Sequence, residues 1–176
     1  MTPNIENLKV PAVTFKTRAK DSNGDYNWKE VSTSEIFEGK KVVFFALPGA
    51  FTPTCSSTHL PGYEAMYDEF KAMGVDEVYC LSVNDSFVMN AWAKDQNLVN
   101  VKLIPDGSGE FTEKLGMLVR KDDLGFGARS WRYSAFVDNG TLVKAFIEEG
   151  FSDNAANDPF EVSDANRMLE YLEANK

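Results

Sequence analysis

Residues 42–59 of the chain read VVFFALPGAFTPTCSSTH. The run before the first proline is short, apolar and rich in valine and phenylalanine, which predicts a buried β-strand. The prolines and the glycine that follow break this pattern and indicate a loop. A helix is expected after the loop, because the hydroxyl of Thr52 or Thr54 can cap it by accepting from the free N–H groups of a first turn. This interpretation places Cys55 in the first turn of a helix, directly after a buried strand.

The predicted position of Cys55 suits a reactive thiol. The N-terminal turn of a helix carries unpaired N–H donors and the positive end of the helix dipole. Both stabilise a thiolate, which is the nucleophilic form of cysteine. The main alternative is an unreactive cysteine that is buried as a small apolar residue. The neighbours Thr52, Thr54, Ser56 and Ser57 are small and polar, unlike the stripe of a packed core, and they favour the reactive interpretation.

The composition of the chain is that of a globular protein. With 176 residues it is expected to form a single domain over residues 1–176, and 43% of its residues are hydrophobic. No apolar run approaches the ~20 residues of a membrane helix. The formal net charge of −9 argues against nucleic acid or an anionic membrane surface as a partner, because both attract basic patches.

Cysteine usage indicates a compartment. The chain has two cysteines, Cys55 and Cys80, and its first residues, MTPNIEN, lack the basic and apolar regions of a signal peptide. Two cysteines in a chain of this size do not form a disulfide scaffold. We therefore expect a protein of the reducing cytoplasm.

Apolar periodicity predicts an alternation of strands and helices. Predicted strands span residues 11–18, 26–31, 41–47, 76–83, 101–104, 130–137 and 141–147, and predicted helices span residues 35–37, 55–73, 87–94, 111–115 and 163–172. Strand–helix–strand order predicts parallel strands with right-handed crossovers. The turn Asn139-Gly140 predicts a final antiparallel hairpin. The fold class is therefore α/β, with a thioredoxin-like central mixed sheet flanked by helices and an N-terminal β-hairpin.

Two stretches depart from this regular pattern. Leu60-Pro61-Gly62 interrupts the predicted helix after Cys55 and predicts a kink or a break there, since proline cannot donate a backbone hydrogen bond. Residues 117–128 contain glycines and mixed charges, and they are expected to form a long loop.

The spacing Pro48-x-x-x-Thr52-x-x-Cys55 resembles the active-site signature of the peroxiredoxins. The longer string PGAFTPTCSSTHLPG, residues 48–62, is similar to their type II, fifth and atypical, subfamily. The resemblance extends over about residues 42–147 and implies a thioredoxin-like fold. It also implies an antioxidant peroxidase that acts in cell redox homeostasis, in which Cys55 attacks hydrogen peroxide or alkyl hydroperoxides and becomes a sulfenic acid. The subfamily commonly forms homodimers through the face that bears the active-site loop, and no metal or organic cofactor is implied.

Three further residues complete the catalytic site that this resemblance implies. Thr52 places a hydroxyl beside the sulfur and the peroxide, and Pro48 shields the site from water. An arginine is expected to bind the peroxide and stabilise the leaving oxygen, since its rigid fork of donors suits oxygens and a thiolate together. Arg129 and Arg132 are both candidates. The Arg-aromatic-Ser context of the family matches Arg132, so Arg132 is assigned and Arg129 is expected at the rim.

His59 lies one helical turn after Cys55 and raises another possibility. A Cys–His pair is typical of nucleophilic catalysis in proteases, but no third group that could orient the histidine is evident. We expect His59 to support the active-site loop instead. It is the only histidine in the chain, which excludes a metal site of several imidazoles.

Cys80 leaves the second half of the cycle open. It falls in a predicted core strand, where an inert buried thiol is the simplest interpretation, although plant-type members of the subfamily carry a cysteine in similar surroundings. No cysteine lies near the C-terminal end, so the resolving mechanism of animal-type members is excluded. Either Cys80 approaches Cys55 and resolves it, or an external thiol (glutathione, glutaredoxin or thioredoxin) does so by exchange. We favour the external thiol.

Two other functional classes are alternatives to a peroxidase. A non-enzymatic redox sensor would relay peroxide oxidation to a partner protein without turnover. A thioredoxin-like binding module with a merely structural cysteine would react slowly with peroxide and with alkylating agents, and the residues around Cys55 argue against it.

Overall fold

A five-stranded mixed sheet forms the centre of the protein, which a computed structural model describes over all of residues 1–176. The strands are β1 (Thr14–Lys20), β2 (Tyr26–Ser32), β3 (Lys41–Leu47), β4 (Glu77–Ser82), β5 (Lys102–Pro105), β6 (Leu118–Arg120), β7 (Ala128–Ser130), β8 (Tyr133–Asp138) and β9 (Thr141–Ile147). The α-helices are α1 (Thr33–Phe37), α2 (Leu60–Ala65), α3 (Tyr67–Ala72), α4 (Ser86–Asp95), α5 (Glu110–Leu115) and α6 (Ala165–Ala174). A π-helical turn, Cys55–His59, precedes α2, and a 3₁₀ turn, Asp122–Leu124, follows β6.

The central sheet has the strand order β5-β4-β3-β8-β9. β3 is parallel to β4 and β4 to β5, as predicted for strands joined by helical crossovers. β8 is antiparallel to both β3 and β9. Asn139 and Gly140, with φ of 48° and 80°, make the left-handed turn between β8 and β9 that their sequence predicts. The predicted α/β fold with a mixed central sheet is confirmed.

β3 is buried from Val42 to Leu47 because the sheet is covered on both faces. Successive side chains of a strand point to opposite faces, so β3 contributes to two cores. Phe44 packs in a core that includes Phe15 of β1. Phe45 packs in a second core on the other face, together with Cys55 and Cys80. The continuous apolar run in the sequence therefore reflects burial on two sides.

The N-terminal hairpin is a separate two-stranded sheet in which β1 pairs antiparallel with β2. It confirms the predicted hairpin, although β1 begins at Thr14 instead of residue 11. The cause lies in Val13 and Thr33. The backbone N–H of Val13 donates to Thr33 Oγ1 at 3.1 Å, and the N–H of Thr33 donates to the Val13 carbonyl at 2.9 Å. Val13 is thus bonded to the start of α1 and not to β2.

The loop predicted over residues 117–128 is wrong in part. β6 and β7 pair antiparallel there, with Val119 opposite Arg129. Each strand has three residues, and the connection between them passes through Gly125 and Gly127, both with left-handed φ. Such short strands give no periodic signal, and the glycines indicated only a loop.

The single strand predicted over residues 130–137 is confirmed only from Tyr133 onward. The chain pairs with β6 as far as Ser130, and β8 begins at Tyr133. Between them, the N–H of Trp131 donates to the Met117 carbonyl at 2.9 Å, which keeps the chain beside β6 before it turns into the central sheet. Arg132 consequently lies at the junction of two sheets and not inside a strand.

Helix α6 closes the chain as predicted, with its N-terminus capped by Asp164. The Asp164 carboxylate accepts from the N–H of Arg167 at 3.3 Å. None of the helices combines the length and the apolar character that crossing a membrane requires.

Candidate active site

Cys55 lies in the first turn of an irregular helix that starts at Pro53, after the carboxyl end of β3. It opens the π-helical turn Cys55–His59, in which the N–H of Leu60 donates to the Cys55 carbonyl. Pro61 accounts for this departure from the predicted α-helix, because it has no N–H and its ring would crowd the carbonyl four residues earlier. The predicted irregularity around Pro61 is therefore present as a change from π to α geometry. A second interruption, at Met66, separates α2 from α3.

The threonines before Cys55 do not cap this helix, so that prediction is wrong. Thr54 already has helical φ and ψ of −64° and −38° and makes no capping hydrogen bond, whereas a capping residue needs an extended backbone. Thr52 turns its hydroxyl back and donates to the Gly49 carbonyl at 2.7 Å. Its own carbonyl accepts from the N–H of Ser56 at 3.0 Å. Thr52 thus closes the loop that leads to Cys55.

Arg132 is the cation of the site. It is 1% exposed, and its Nη2 donates to Cys55 Sγ at 3.4 Å. Nη1 donates to His59 Nδ1 at 2.8 Å. Asp158 holds the outer side of the guanidinium, accepting from Nη2 at 2.9 Å and from Nε at 3.3 Å. Of the two arginines that the sequence offered, Arg132 is the one that contacts the sulfur.

The charge of Arg132 matters for the sulfur that it contacts. Burial alone would lower the pKa of the Arg132 guanidinium, but the neighbouring Cys55 and Asp158 raise it above its ordinary value. The group therefore remains a cation in the interior. A charged donor on Sγ stabilises a thiolate there more than a thiol.

His59 is a neutral histidine whose two nitrogens are both engaged. Burial, followed by the charge of Arg132, lowers the pKa of its imidazole well below the ordinary 6.5. Nε2–H donates to the Ser163 carbonyl at 3.0 Å, and Nδ1 accepts from Arg132. Neither nitrogen is directed at Cys55, so the arrangement does not provide a base for the thiol. This is consistent with the expected supporting role.

Ser56 ties the π turn to a neighbouring helix. Its Oγ accepts from the indole N–H of Trp92 on α4 at 3.0 Å. Trp92 is fully buried. The residue directly after Cys55 is therefore fixed by a contact from outside the active-site loop.

Arg129, which was expected at the rim of the site, contacts the backbone of the loop between β3 and Cys55. Its Nη1 donates to the Pro48 carbonyl at 2.9 Å, and its guanidinium lies 4.9 Å from the centre of the Phe126 ring. The approach to the loop is so close that a Cβ atom at Gly49 would lie 2.2 Å from Arg129 Nη1. Arg129 thus holds Pro48, and only glycine fits at the next position without displacing it.

Cys80 lies within β4, where it is opposite Phe45 of β3. It is 0% exposed, and both cysteines are free thiols. Burial, and secondarily the nearby Cys55, raises the pKa of the Cys80 thiol well above its ordinary value. Cys80 is therefore a neutral thiol in the same core as Cys55.

Sequence reasoning missed three residues that surround the predicted ones: Asp158, Ser163 and Glu148. They come from the stretch between β9 and α6, which carries no motif and is brought to Cys55 only by tertiary packing. The one available signal was an acidic residue, Glu148, directly after an apolar strand.

One family and several known proteins resemble the chain over nearly all of its length. A family model described as Redoxin matches residues 6–169. Peroxiredoxin sll1621 of Synechocystis is 58% identical over 176 residues, which cover 98% of this chain and 91% of that protein. Hybrid peroxiredoxin hyPrx5 of Haemophilus influenzae is 56% identical over 169 residues, which cover 96% of this chain and 66% of that protein.

The fold agrees with that of solved structures. The crystal structure of the Plasmodium falciparum antioxidant protein, described as a 1-Cys peroxiredoxin, matches with a TM-score of 0.91 and 36% sequence identity. The match covers 97% of this chain and 100% of that one.

Proposed function

The chain belongs to the peroxiredoxins, of their atypical kind, and is a thiol-dependent peroxidase; from this premise we propose that Cys55 reduces hydrogen peroxide and alkyl hydroperoxides. An external thiol, supplied by glutathione with glutaredoxin or by thioredoxin, then regenerates it. The observation that carries the proposal is the contact at 3.4 Å between Arg132 Nη2 and Cys55 Sγ in a buried site.

The first half of the cycle breaks the O–O bond. The Cys55 thiolate attacks the nearer oxygen of the peroxide, an S–O bond forms, and the second oxygen leaves as hydroxide or alkoxide and takes a proton from solvent. Arg132 can bind the peroxide beside Sγ and stabilise the charge that grows on the leaving oxygen, because its donors are fixed before the reaction starts. Thr52 shapes the pocket by holding the loop closed through Gly49.

The second half requires a thiol, and the position of Cys80 supports an external one. Cys80 is a neutral thiol inside a central strand, and only a thiolate is a good nucleophile. An incoming thiol attacks the sulfenic sulfur, water leaves, and a mixed disulfide forms. A second thiol then releases Cys55 and carries away the disulfide. Since Cys55 is 1% exposed, the turn that bears it must open for this exchange.

The first experiment measures the intact mass of the reduced protein after one equivalent of hydrogen peroxide, without added thiol. A gain of one oxygen that Cys55→Ser abolishes and Cys80→Ser preserves is expected. A loss of two hydrogens at monomer mass would show that Cys80 resolves Cys55, and no change would overturn the peroxidase proposal. Repeated turnover with glutaredoxin and glutathione, or with thioredoxin, and with hydrogen peroxide or an alkyl hydroperoxide then identifies reductant and substrate. Stoichiometric oxidation without turnover would favour a redox sensor.

We further propose that the protein forms a homodimer through the face that carries the active-site loop. Phe51 in this loop is 51% exposed and has a φ of 67°, a left-handed conformation that is unfavourable for an aromatic residue. An exposed ring held in this conformation suits contact with a second copy. Light scattering is expected to give a dimer for the wild type and a monomer for Phe51→Asp. A monomeric wild type would contradict the proposal.

A further inference from the structure

Glu148 is a buried carboxylate that the proposed cycle does not use. It follows β9 and is 1% exposed. Its oxygens accept from the backbone N–H groups of Glu161 at 2.8 Å, Val162 at 3.0 Å and Ser163 at 2.8 Å, and from the Ser163 hydroxyl at 2.6 Å. A buried carboxylate is usually paired with a cation, but all these donors are neutral groups of one turn. Glu148 therefore holds the turn at residues 161–163 in place.

Ser163 passes this constraint to the active-site helix. Its carbonyl accepts from His59 Nε2–H at 3.0 Å and from the Tyr63 hydroxyl at 2.9 Å. The imidazole ring is also packed between Phe45 and Phe160, each with its ring centre 4.7 Å away. Because Nε2 carries the proton, Nδ1 has a free lone pair and can accept a hydrogen bond.

Arg132 is the donor that uses this lone pair. With Nη1 directed to His59 Nδ1 at 2.8 Å, the planar guanidinium has its Nη2 beside Cys55 Sγ. Asp158 also contacts Arg132, but it is a half-exposed partner, with 45% of its side chain accessible. The buried histidine is therefore the partner that fixes the orientation of the guanidinium.

We propose that Glu148 and His59 are positioning residues of the peroxidase, which act in series through the Ser163 carbonyl to aim the Arg132 guanidinium at the reacting sulfur. The inference rests on the proposed function of Cys55 and Arg132, and it extends that function to the stretch between β9 and α6. Neither residue touches the peroxide. Their effect is on the alignment of the group that does, and a misplacement of about 1 Å can lower a rate roughly 10²-fold.

Two substitutions at His59 separate its two hydrogen bonds. A glutamine amide reaches about as far as Nε2 and can still donate to Ser163, whereas an asparagine amide reaches about as far as Nδ1 and can still accept from Arg132. Two second-order rates of Cys55 are compared: oxidation by hydrogen peroxide, which needs alignment by Arg132, and alkylation by iodoacetamide, which does not. We expect His59→Gln to lower the oxidation rate by roughly 10–10²-fold and alkylation much less, with His59→Asn between it and the wild type.

Glu148→Gln tests whether the Glu148 carboxylate positions Arg132 through Ser163 and His59. Glu149→Gln is the matched control. The side-chain amide of the Glu148→Gln variant would place an NH₂ group against the N–H donors of the turn, so the turn must shift. Glu149 is exposed and takes no part in these contacts. We expect Glu148→Gln to lower peroxide oxidation selectively, while Glu149→Gln behaves as the wild type in both reactions.

The outcomes distinguish this inference from the proposed function. If peroxide does not oxidise Cys55 of the wild-type protein, the proposed function itself is wrong. An active wild type with folded His59→Gln and Glu148→Gln variants that are oxidised at the wild-type rate would overturn only the positioning role. A fall in both rates by one common factor would also overturn it, because that result indicates general damage to the site. If Glu148→Gln fails to fold, the two His59 variants decide.

Discussion

Arg132 contacts three different partners through one planar group. Nη1 donates to His59, and Nη2 donates to both Cys55 and Asp158, which a guanidinium can satisfy because its donors lie in a fixed fork. A lysine ammonium carries the same charge at a single point. The geometry of the site therefore depends on the shape of the cation as well as on its charge.

Substitution of Arg132 by lysine is expected to lower the rate of Cys55 oxidation by hydrogen peroxide roughly 10²–10³-fold. An ammonium lacks the fixed fork that presents one donor to Cys55 Sγ and another to His59 Nδ1. Rapid-quench mass spectrometry gives the rate directly. Arg167→Lys, at an exposed position on α6, is the control and should leave the rate unchanged. A near wild-type rate for Arg132→Lys would mean that charge alone is sufficient.

Thr52 offers a test with nearly isosteric variants. Thr52→Val keeps the shape of the side chain but removes the hydroxyl that donates to Gly49, so the loop loses its closing contact. We expect a loss of roughly 10–10² in the peroxide oxidation rate, whereas Thr52→Ser, which keeps the hydroxyl, should stay close to the wild type. Equal rates for both variants would exclude a role for the hydroxyl.

For single residues, the sequence was informative where they form a motif. Cys55, Thr52 and Pro48 could be found because they are adjacent in the chain, and Arg132 because its neighbours matched a pattern. Glu148 gave only a weak signal and no role could be assigned to it, because its partners are mostly backbone N–H groups, which have no signature in a sequence.

Arg129 holds the loop between β3 and the π turn through a hydrogen bond to its backbone, and this contact depends on Gly49. Gly49 lets the Arg129 guanidinium approach the backbone closely enough to bond the Pro48 carbonyl at 2.9 Å. The position of Pro48 therefore depends on the loop itself and on Arg129 of β7, a strand that pairs with β6 outside the central sheet.

Gly49→Ala is expected to displace Arg129, since the new Cβ would lie 2.2 Å from Nη1. The guanidinium can move, but it then loses its hydrogen bond to Pro48, which costs about 0.5–1.5 kcal/mol of unfolding free energy. Urea denaturation measures this loss. The double variant Gly49→Ala/Arg129→Ala should be less destabilised than the sum of the single ones, and strict additivity would show that the two positions do not clash.

Elements with a clear apolar pattern or turn signal were predictable, whereas three-residue strands and the irregular turn at Cys55 were not. β3 and β4 follow from continuous apolar runs, and the β8–β9 turn follows from Asn139-Gly140. β6 and β7 were missed because three-residue strands carry no period. The π turn at Cys55 was expected only as an irregularity, since Pro61 indicates that an α-turn is disturbed but not which geometry replaces it.

The stability of the whole molecule should depend on its single histidine. The folded protein lowers the pKa of His59 well below the 6.5 of an exposed imidazole, through burial and the charge of Arg132. Below pH 6.5 the unfolded chain therefore binds a proton that the folded one does not. The contribution of neutral His59 to stability is complete above this pH and is lost as the pH falls toward the lowered pKa.

Comparison of the wild type with His59→Gln isolates this effect, because the carboxylates that titrate in acid are common to both proteins. The free energy of unfolding in urea is measured at several pH values between about 5 and 7.5, around the ordinary imidazole pKa. We expect any advantage of the wild type to shrink by up to about 1.4 kcal/mol per pH unit as the pH falls below the ordinary value. A constant difference would mean that His59 titrates alike in the folded and unfolded states.

Because Trp92 is hydrogen-bonded to Ser56, its intrinsic fluorescence should report on the conformation of the turn that carries Cys55. The indole is fully buried and its N–H is bonded at 3.0 Å to the residue next to Cys55. When the turn unwinds to admit a reductant, the indole gains contact with water and its emission should move to longer wavelength. Opening and closing of the turn could then be followed in real time without an attached dye.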